Sequence, residues 1–95
     1  MKPTDRPSAA DPPRTCVEEA TFAEQKEKLG VDVKRLDEIL DGLLLRIARF
    51  PERSHVVPTT SLRTEMSMPF EDAPTIIVTF AYDESHVYML WIDLY

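Results

Sequence analysis

The sequence predicts an α+β fold, an antiparallel helix pair packed on a small antiparallel β-sheet, and three observations carry that prediction. An apolar stripe at helical spacing runs from Val33 to Ile47, the pattern of a helix that buries one face. The segment from Ile76 to Asp93 alternates side chains around the polar turn Asp83-Glu84-Ser85, which is the form of a β-hairpin. Between them, Pro51, Pro58, Pro69 and Pro74 break the chain into short extended pieces suited to edge strands and loops.

Residues 1–14 carry Pro3, Pro7, Pro12 and Pro13 among small and charged residues. Such a segment buries too little apolar area to offset its ordering entropy, and a disordered leader is expected there. The domain is then expected over residues 15–95. Thr15 to Ala20 is short enough to serve as an edge strand or as the start of a helix. Thr21 and Glu24 have the spacing of a capping box, which predicts a helix from Phe22 to Leu29, stopped at Gly30 by a C-terminal glycine.

Asp32 has the character of an N-cap for the principal helix, expected from Val33 to Phe50. Val33, Leu36, Ile39, Leu40, Leu43, Leu44 and Ile47 supply its apolar face, and charged residues fill the other side. The two-residue gap Gly30-Val31 turns the two helices into an antiparallel pair. Pro51 ends the second helix because its ring excludes Phe50 from the α region.

Extended pieces are expected at His55 to Val57 and Ser61 to Met66. In the following strand Ile76, Val78, Phe80 and Tyr82 alternate with Ile77, Thr79 and Ala81, so both faces are largely apolar. That predicts a central strand, either covered on both sides or with one face awaiting a partner. The last strand, His86 to Asp93, reads as Val87, Met89 and Trp91 on one face and Tyr88, Leu90 and Ile92 on the other.

Composition narrows the function. A chain of 95 residues, 43% hydrophobic and 29% charged, has the makeup of a single soluble domain and holds no apolar run of the roughly 20 residues that span a bilayer. The first residues lack an apolar h-region, so a cytoplasmic location is the expectation. Cys16 is the sole cysteine and reads as a small half-buried strand residue. From residue 54 onward, Arg63 is the single base against Glu65, Glu71, Asp72, Asp83, Glu84 and Asp93. That half is acidic, which opposes a groove that tracks phosphates.

No metal or cofactor site is expected. His55 and His86, the two histidines, have no cysteine or carboxylate partner at ligand spacing, although either imidazole could act as a general acid or base. The pairs Glu71-Asp72 and Asp83-Glu84 read as solvated turn residues. Ser54, Ser61 and Ser85 lack a glycine-flanked elbow, and with two glycines the chain has no phosphate-cradling loop. Tyr82, Tyr88, Trp91 and Tyr95 could stack on bases, but without interleaved lysine or arginine they fit core packing and a protein interface better.

The order of these elements carries a resemblance. A weak first strand is followed by a helix pair whose second member reads RLDEILDGLLLRIARFPE, then by the extended TSLR segment and the hairpin IIVTFAYDESHVYMLWI. Over Thr15 to Ile92 this resembles the RelE/ParE superfamily of bacterial toxin-antitoxin systems. The carrying pieces are Arg49-Phe50-Pro51-Glu52, Leu62-Arg63 and the hairpin from Ile76 to Ile92.

The resemblance implies a toxin-like protein with a cognate antitoxin-like partner, and it offers three functions. RelE-type members cleave ribosome-bound messenger RNA with sheet lysines and arginines and a basic or tyrosine-bearing tail; the residues of suitable type here are Arg63, Tyr82 and Tyr95, with His86 a weaker fourth. The family's usual "YRV" strand reads Ile76-Ile77-Val78 here, and one arginine facing six carboxylates is poor provision for a phosphodiester transition state. ParE-like members act on DNA gyrase through protein contacts, which this sequence fits better. A member without toxicity would serve as an interaction domain, its apolar sheet face binding an antitoxin-like protein or a second copy.

Overall fold

The computed structural model describes residues 13–68 and 73–95. Its elements are β1 (Thr15–Glu18), α1 (Ala20–Glu27), α2 (Val33–Arg49), a 3-10 turn (Pro51–Arg53), β2 (His55–Val56), β3 (Arg63–Met66), β4 (Ile76–Tyr82) and β5 (His86–Leu94). The α+β class is as expected. Most of the expected leader and the Glu71-Asp72 pair lie outside the described residues.

The five strands form one sheet in the order β1-β5-β4-β3-β2. Three neighbouring pairs are antiparallel, but β1 runs parallel to β5, pairing Cys16 with Val87 and Val17 with Tyr88. The sheet is therefore mixed, a correction to the antiparallel sheet expected. Alternation in a sequence marks a strand without giving its direction, and here the helical crossover after β1 sets it.

Helix α2 forms as its pattern dictates. The Asp32 carboxylate accepts the Arg35 N–H at 3.1 Å, satisfying one of the helix's free donors. Leu36, Leu40, Leu43 and Ile47 are buried, and Ile39 and Leu44 pack at the margin. Val33, expected in the stripe, is 72% exposed. Phe50 leaves the helical region at φ −137° and Pro51 is buried in the following turn, as the proline predicts.

Helix α1 starts two residues earlier than expected, and no side chain caps it. Pairing with the sheet decides this. The Glu19 N–H donates to the Met89 carbonyl at 3.0 Å, so the chain passes from β1 directly into the helix with Thr21 already inside its first turn. Gly30 adopts φ +77°, the left-handed conformation that glycine allows. Phe22 is the residue α1 buries, and its Gln25 side chain accepts the Ile92 N–H at 2.9 Å. That bond supplies a partner on the flank of β5 beyond the end of short β1.

Hairpin β4–β5 contains an irregularity that the sequence does not announce. Thr79 pairs with Trp91 but Phe80 pairs with Met89, leaving Leu90 as the extra residue of a β-bulge. A one-residue offset exchanges the faces of everything beyond it. Ile92 is therefore buried with Val87 and Met89, while Trp91 is 45% exposed, the reverse of the strict alternation expected.

The core gathers on one side of the sheet. Ile76, Val78, Phe80, Val87, Met89 and Ile92 meet Phe22 and the buried face of α2. Arg46 ties α2 to β3, donating to Glu65 Oε2 at 3.1 Å and to the Met66 carbonyl at 3.0 Å, while Ser54 Oγ donates to the other oxygen of Glu65 at 2.8 Å. Among the described residues no helix is long and apolar enough to cross a membrane.

Candidate functional site

Two surfaces stand out, one at the end of α2 and one on the open face of the sheet. The first is built where β1 begins, α2 stops and β3 starts. The Arg14 N–H donates to the Ala48 carbonyl at 3.1 Å, and its side-chain Nε donates to the Asp83 carbonyl at 2.7 Å. Arg63, at the start of β3, donates from one guanidinium nitrogen to the carbonyls of Glu52 and Ser54 at 3.0 and 2.9 Å. Both guanidinium groups stand over the Tyr82 ring, 5.4 Å away for Arg14 and 5.8 Å for Arg63, within reach of the attraction between a cation and a π face.

Arg53 lies between the two carbonyls that hold Arg63, and its guanidinium is 4.4 Å from the centre of the Phe50 ring. Arg14, Arg53 and Arg63 form no ion pair with a described carboxylate. They rest on backbone oxygens and aromatic rings, so their positive charge is available to an anion.

Arg63 and Tyr82 are thus brought together. Tyr95 is not with them. Its N–H bonds the Thr75 carbonyl at the opposite end of the hairpin and its side chain is 83% exposed, on the order of 20 Å from Tyr82 along a seven-residue strand. Arg14 and Arg53 are additions that the sequence reading missed. Charge counted along the chain assigns them to other segments, whereas the fold carries them to the one base of the acidic half. The faint signal was their position, directly before the first strand and directly after the helix-ending proline.

His86 sits at the turn of the same hairpin. Its Nδ1 is 2.8 Å from Ser85 Oγ and 3.8 Å from Asp83 Oδ1. Serine and carboxylate share one imidazole nitrogen, so the three do not form the relay in which the carboxylate and the nucleophile engage opposite nitrogens. Asp83 also accepts the N–H groups of Ser85 and His86 at 2.9 and 2.8 Å and the Tyr88 hydroxyl at 3.0 Å. These bonds, the backbone ones first, hold its carboxyl below the usual range, and the same hydroxyl bond pushes the Tyr88 phenol above its ordinary value.

The remaining candidates are structural. Ser54 is buried and bonded to Glu65. Cys16 is half-buried on β1 with Sγ 4.0 Å from the Leu44 carbonyl, and burial raises its thiol pKa, which leaves it a weak nucleophile. His55 is exposed on the short edge strand. No group of three histidine, cysteine, aspartate or glutamate residues able to hold a metal occurs among the described residues.

The second surface is the face of the sheet turned away from the helices. Register places Thr15, Val17, Ile77, Thr79, Ala81, His86, Tyr88, Leu90 and Trp91 on it, with Thr64 and Met66 from β3. Each is at least partly exposed. Arg63 and Glu65 face the helical side, opposite Phe80 and Val78, and Glu18 turns to Lys26 on α1 at 2.6 Å. Asp93 is therefore the single charged side chain that the described strands direct to the open face. A contiguous apolar sheet face of this kind marks an interaction surface.

Searches against family models and against curated proteins return no match to this chain.

Proposed function

We propose that the protein is a toxin-like component of a bacterial toxin-antitoxin pair, acting by binding another protein through the open face of its sheet. The toxin-antitoxin part rests on the order of elements and the Arg49-Phe50-Pro51-Glu52 and Leu62-Arg63 pieces. The observation that carries the binding part is the open face itself, apolar, with Trp91 45% exposed and with no lysine or arginine from the described strands. An RNA backbone needs cations to replace its counterions, and this face offers none. A protein surface needs desolvated aromatic and aliphatic area, and this face offers that.

A second reading, RNA cleavage of the RelE type, is favoured by a different observation. Arg14 and Arg63 stand over Tyr82 and Arg53 over Phe50, none of them paired with a carboxylate among the described residues, so the provision for a phosphodiester is better than a count along the chain implies. Guanidinium groups fixed in this way could stabilise a developing oxyanion. The described contacts place no carboxylate or imidazole against the Tyr82 hydroxyl to act as a base.

Induced expression in a bacterial host separates the two. Growth arrest relieved by Thr79→Arg, which puts a charge in the centre of the open face, and retained in the double variant Arg14→Ala, Arg63→Ala supports protein binding. The converse pattern supports RNA cleavage. Unimpaired growth at high expression removes the toxin assignment altogether.

A further inference from the structure

We propose that, when no other protein holds it, the open sheet face is occupied by the same face of a second copy, so that the chain forms a two-fold homodimer which a target protein displaces; this inference rests on the reading of that face as a protein-binding surface. Charge is the first argument. At a net charge of −6, two copies repel one another over most of their surface, and a surface that meets itself must be nearly free of charge. The open face meets that condition, with Asp93 at one end as its single charged strand residue.

Symmetry is the second argument. In a two-fold interface residue i meets residue j while j meets i. Along β5 the pair Tyr88 and Trp91 and the pair His86 and Asp93 share a common midpoint, next to the Leu90 bulge. A two-fold axis crossing β5 at that level sets Trp91 against Tyr88 of the second copy. It also sets the Asp93 carboxylate over the second copy's His86, so that the one charge of the face meets an imidazole. Beside them, Thr79 and Ala81 on β4 are small, which lets the two sheets approach to the roughly 10 Å of a packed sandwich.

Area is the third. Strands of 4, 2, 4, 7 and 9 residues, at about 3.3 Å per residue and about 4.8 Å apart, present on the order of 400 Å² in projection, more with side-chain relief. That is below the ~800 Å² per partner of a standard interface, so the dimer is a weak and reversible one.

The test uses the full chain in sedimentation velocity from about 1 µM to about 500 µM, a range that brackets micromolar association, together with the fluorescence of Trp91, the sole tryptophan. The expected mass rises from 10.9 kDa toward twice that value, and the Trp91 emission moves to the blue over the same concentrations. Thr79→Arg sets an arginine over Ala81 of the second copy on each side of the axis, a buried charge with no partner, and weakens dimerisation at least about tenfold. Its circular dichroism should match the parent. Leu45→Glu, on an exposed residue of α2, leaves the mass unchanged.

A monomer at every concentration overturns the homodimer, as does a dimer whose Trp91 emission stays constant or whose affinity survives Thr79→Arg. A persistent monomer whose growth arrest is still relieved by Thr79→Arg assigns the face to a different protein, and the binding reading outlives the homodimer. A dimer formed through this face by a chain that leaves growth unimpaired keeps the homodimer and removes the toxin reading.

Discussion

The guanidinium carbon of Arg63 stands 5.8 Å from the centre of the Tyr82 ring, and the same guanidinium closes the turn before β2 through the carbonyls of Glu52 and Ser54. One side chain thus links the hairpin to the segment after α2. Arg63→Ala removes two charge-assisted bonds, one of them exposed, and is expected to lower stability by about 1 kcal/mol, read as a shift in urea midpoint at constant slope. If the cluster also holds RNA, Arg14→Ala and Arg63→Ala each reduce the slope of log affinity against log salt by about 1 for a labelled oligonucleotide. No binding at low salt leaves the cluster a structural device.

The two glycines respond in opposite directions. Gly42 lies in the middle of α2 and a Cβ there meets nothing within 4 Å, so Gly42→Ala is expected to stabilise by about 0.5–1 kcal/mol. Gly30 also has open space, but its φ of +77° is strained for any side chain. Gly30→Ala is expected to destabilise by about 1 kcal/mol. Thermal melts of both variants check the sign of each effect.

The bulge makes a deletion informative. Removing Leu90 joins Met89 to Trp91 and restores simple alternation, with Trp91 still outward and Ile92 still in the core. That deletion is expected to preserve a cooperative fold, with a loss under about 2 kcal/mol. Removing Thr79 from β4, the strand with no residue to spare, instead turns one end of β4 inside out relative to β5 and is expected to abolish folding. Cooperative melting of the Thr79 deletion would show that the register is not fixed as described.

The Asp83–Tyr88 bond predicts a dependence on pH at both extremes. The Asp83 pKa is lowered in the folded chain, so its contribution is present above the unfolded value and is lost as pH falls through the lowered one, on the acid side of the ordinary aspartate range. The Tyr88 pKa is raised, so its contribution is present below the unfolded value and is lost as pH rises through the raised one. Asp83→Asn is expected to bring the Tyr88 titration, followed by ultraviolet absorbance, back toward that of an ordinary tyrosine. An unchanged titration would remove Asp83 as the cause.

Where the physics is local, the sequence was legible. The stripe of α2, the Asp32 cap, the stop at Pro51 and the two strands around Asp83-Glu84-Ser85 depend on residues within a turn or two of one another, and each appears as expected. The capping box at Thr21 failed because pairing of Glu19 with Met89, distant in the chain, fixed where α1 begins. Of the three candidates that the resemblance supplied, the fold sets Arg63 beside Tyr82 and puts Tyr95 at the opposite end of the hairpin.

By itself, the sequence determined that there is one long amphipathic helix, that a hairpin of apolar strands follows it, and that this hairpin has too much apolar surface for one buried face. Tertiary structure alone decided that β1 runs parallel to β5, that a bulge at Leu90 turns Trp91 outward, and that Arg14 joins Arg63 over Tyr82. The reason is the range of the interactions. Helix period, caps and turns are written in neighbouring residues, whereas strand direction, register and the gathering of charge depend on which distant segments meet, and that choice is settled by packing the whole core at once.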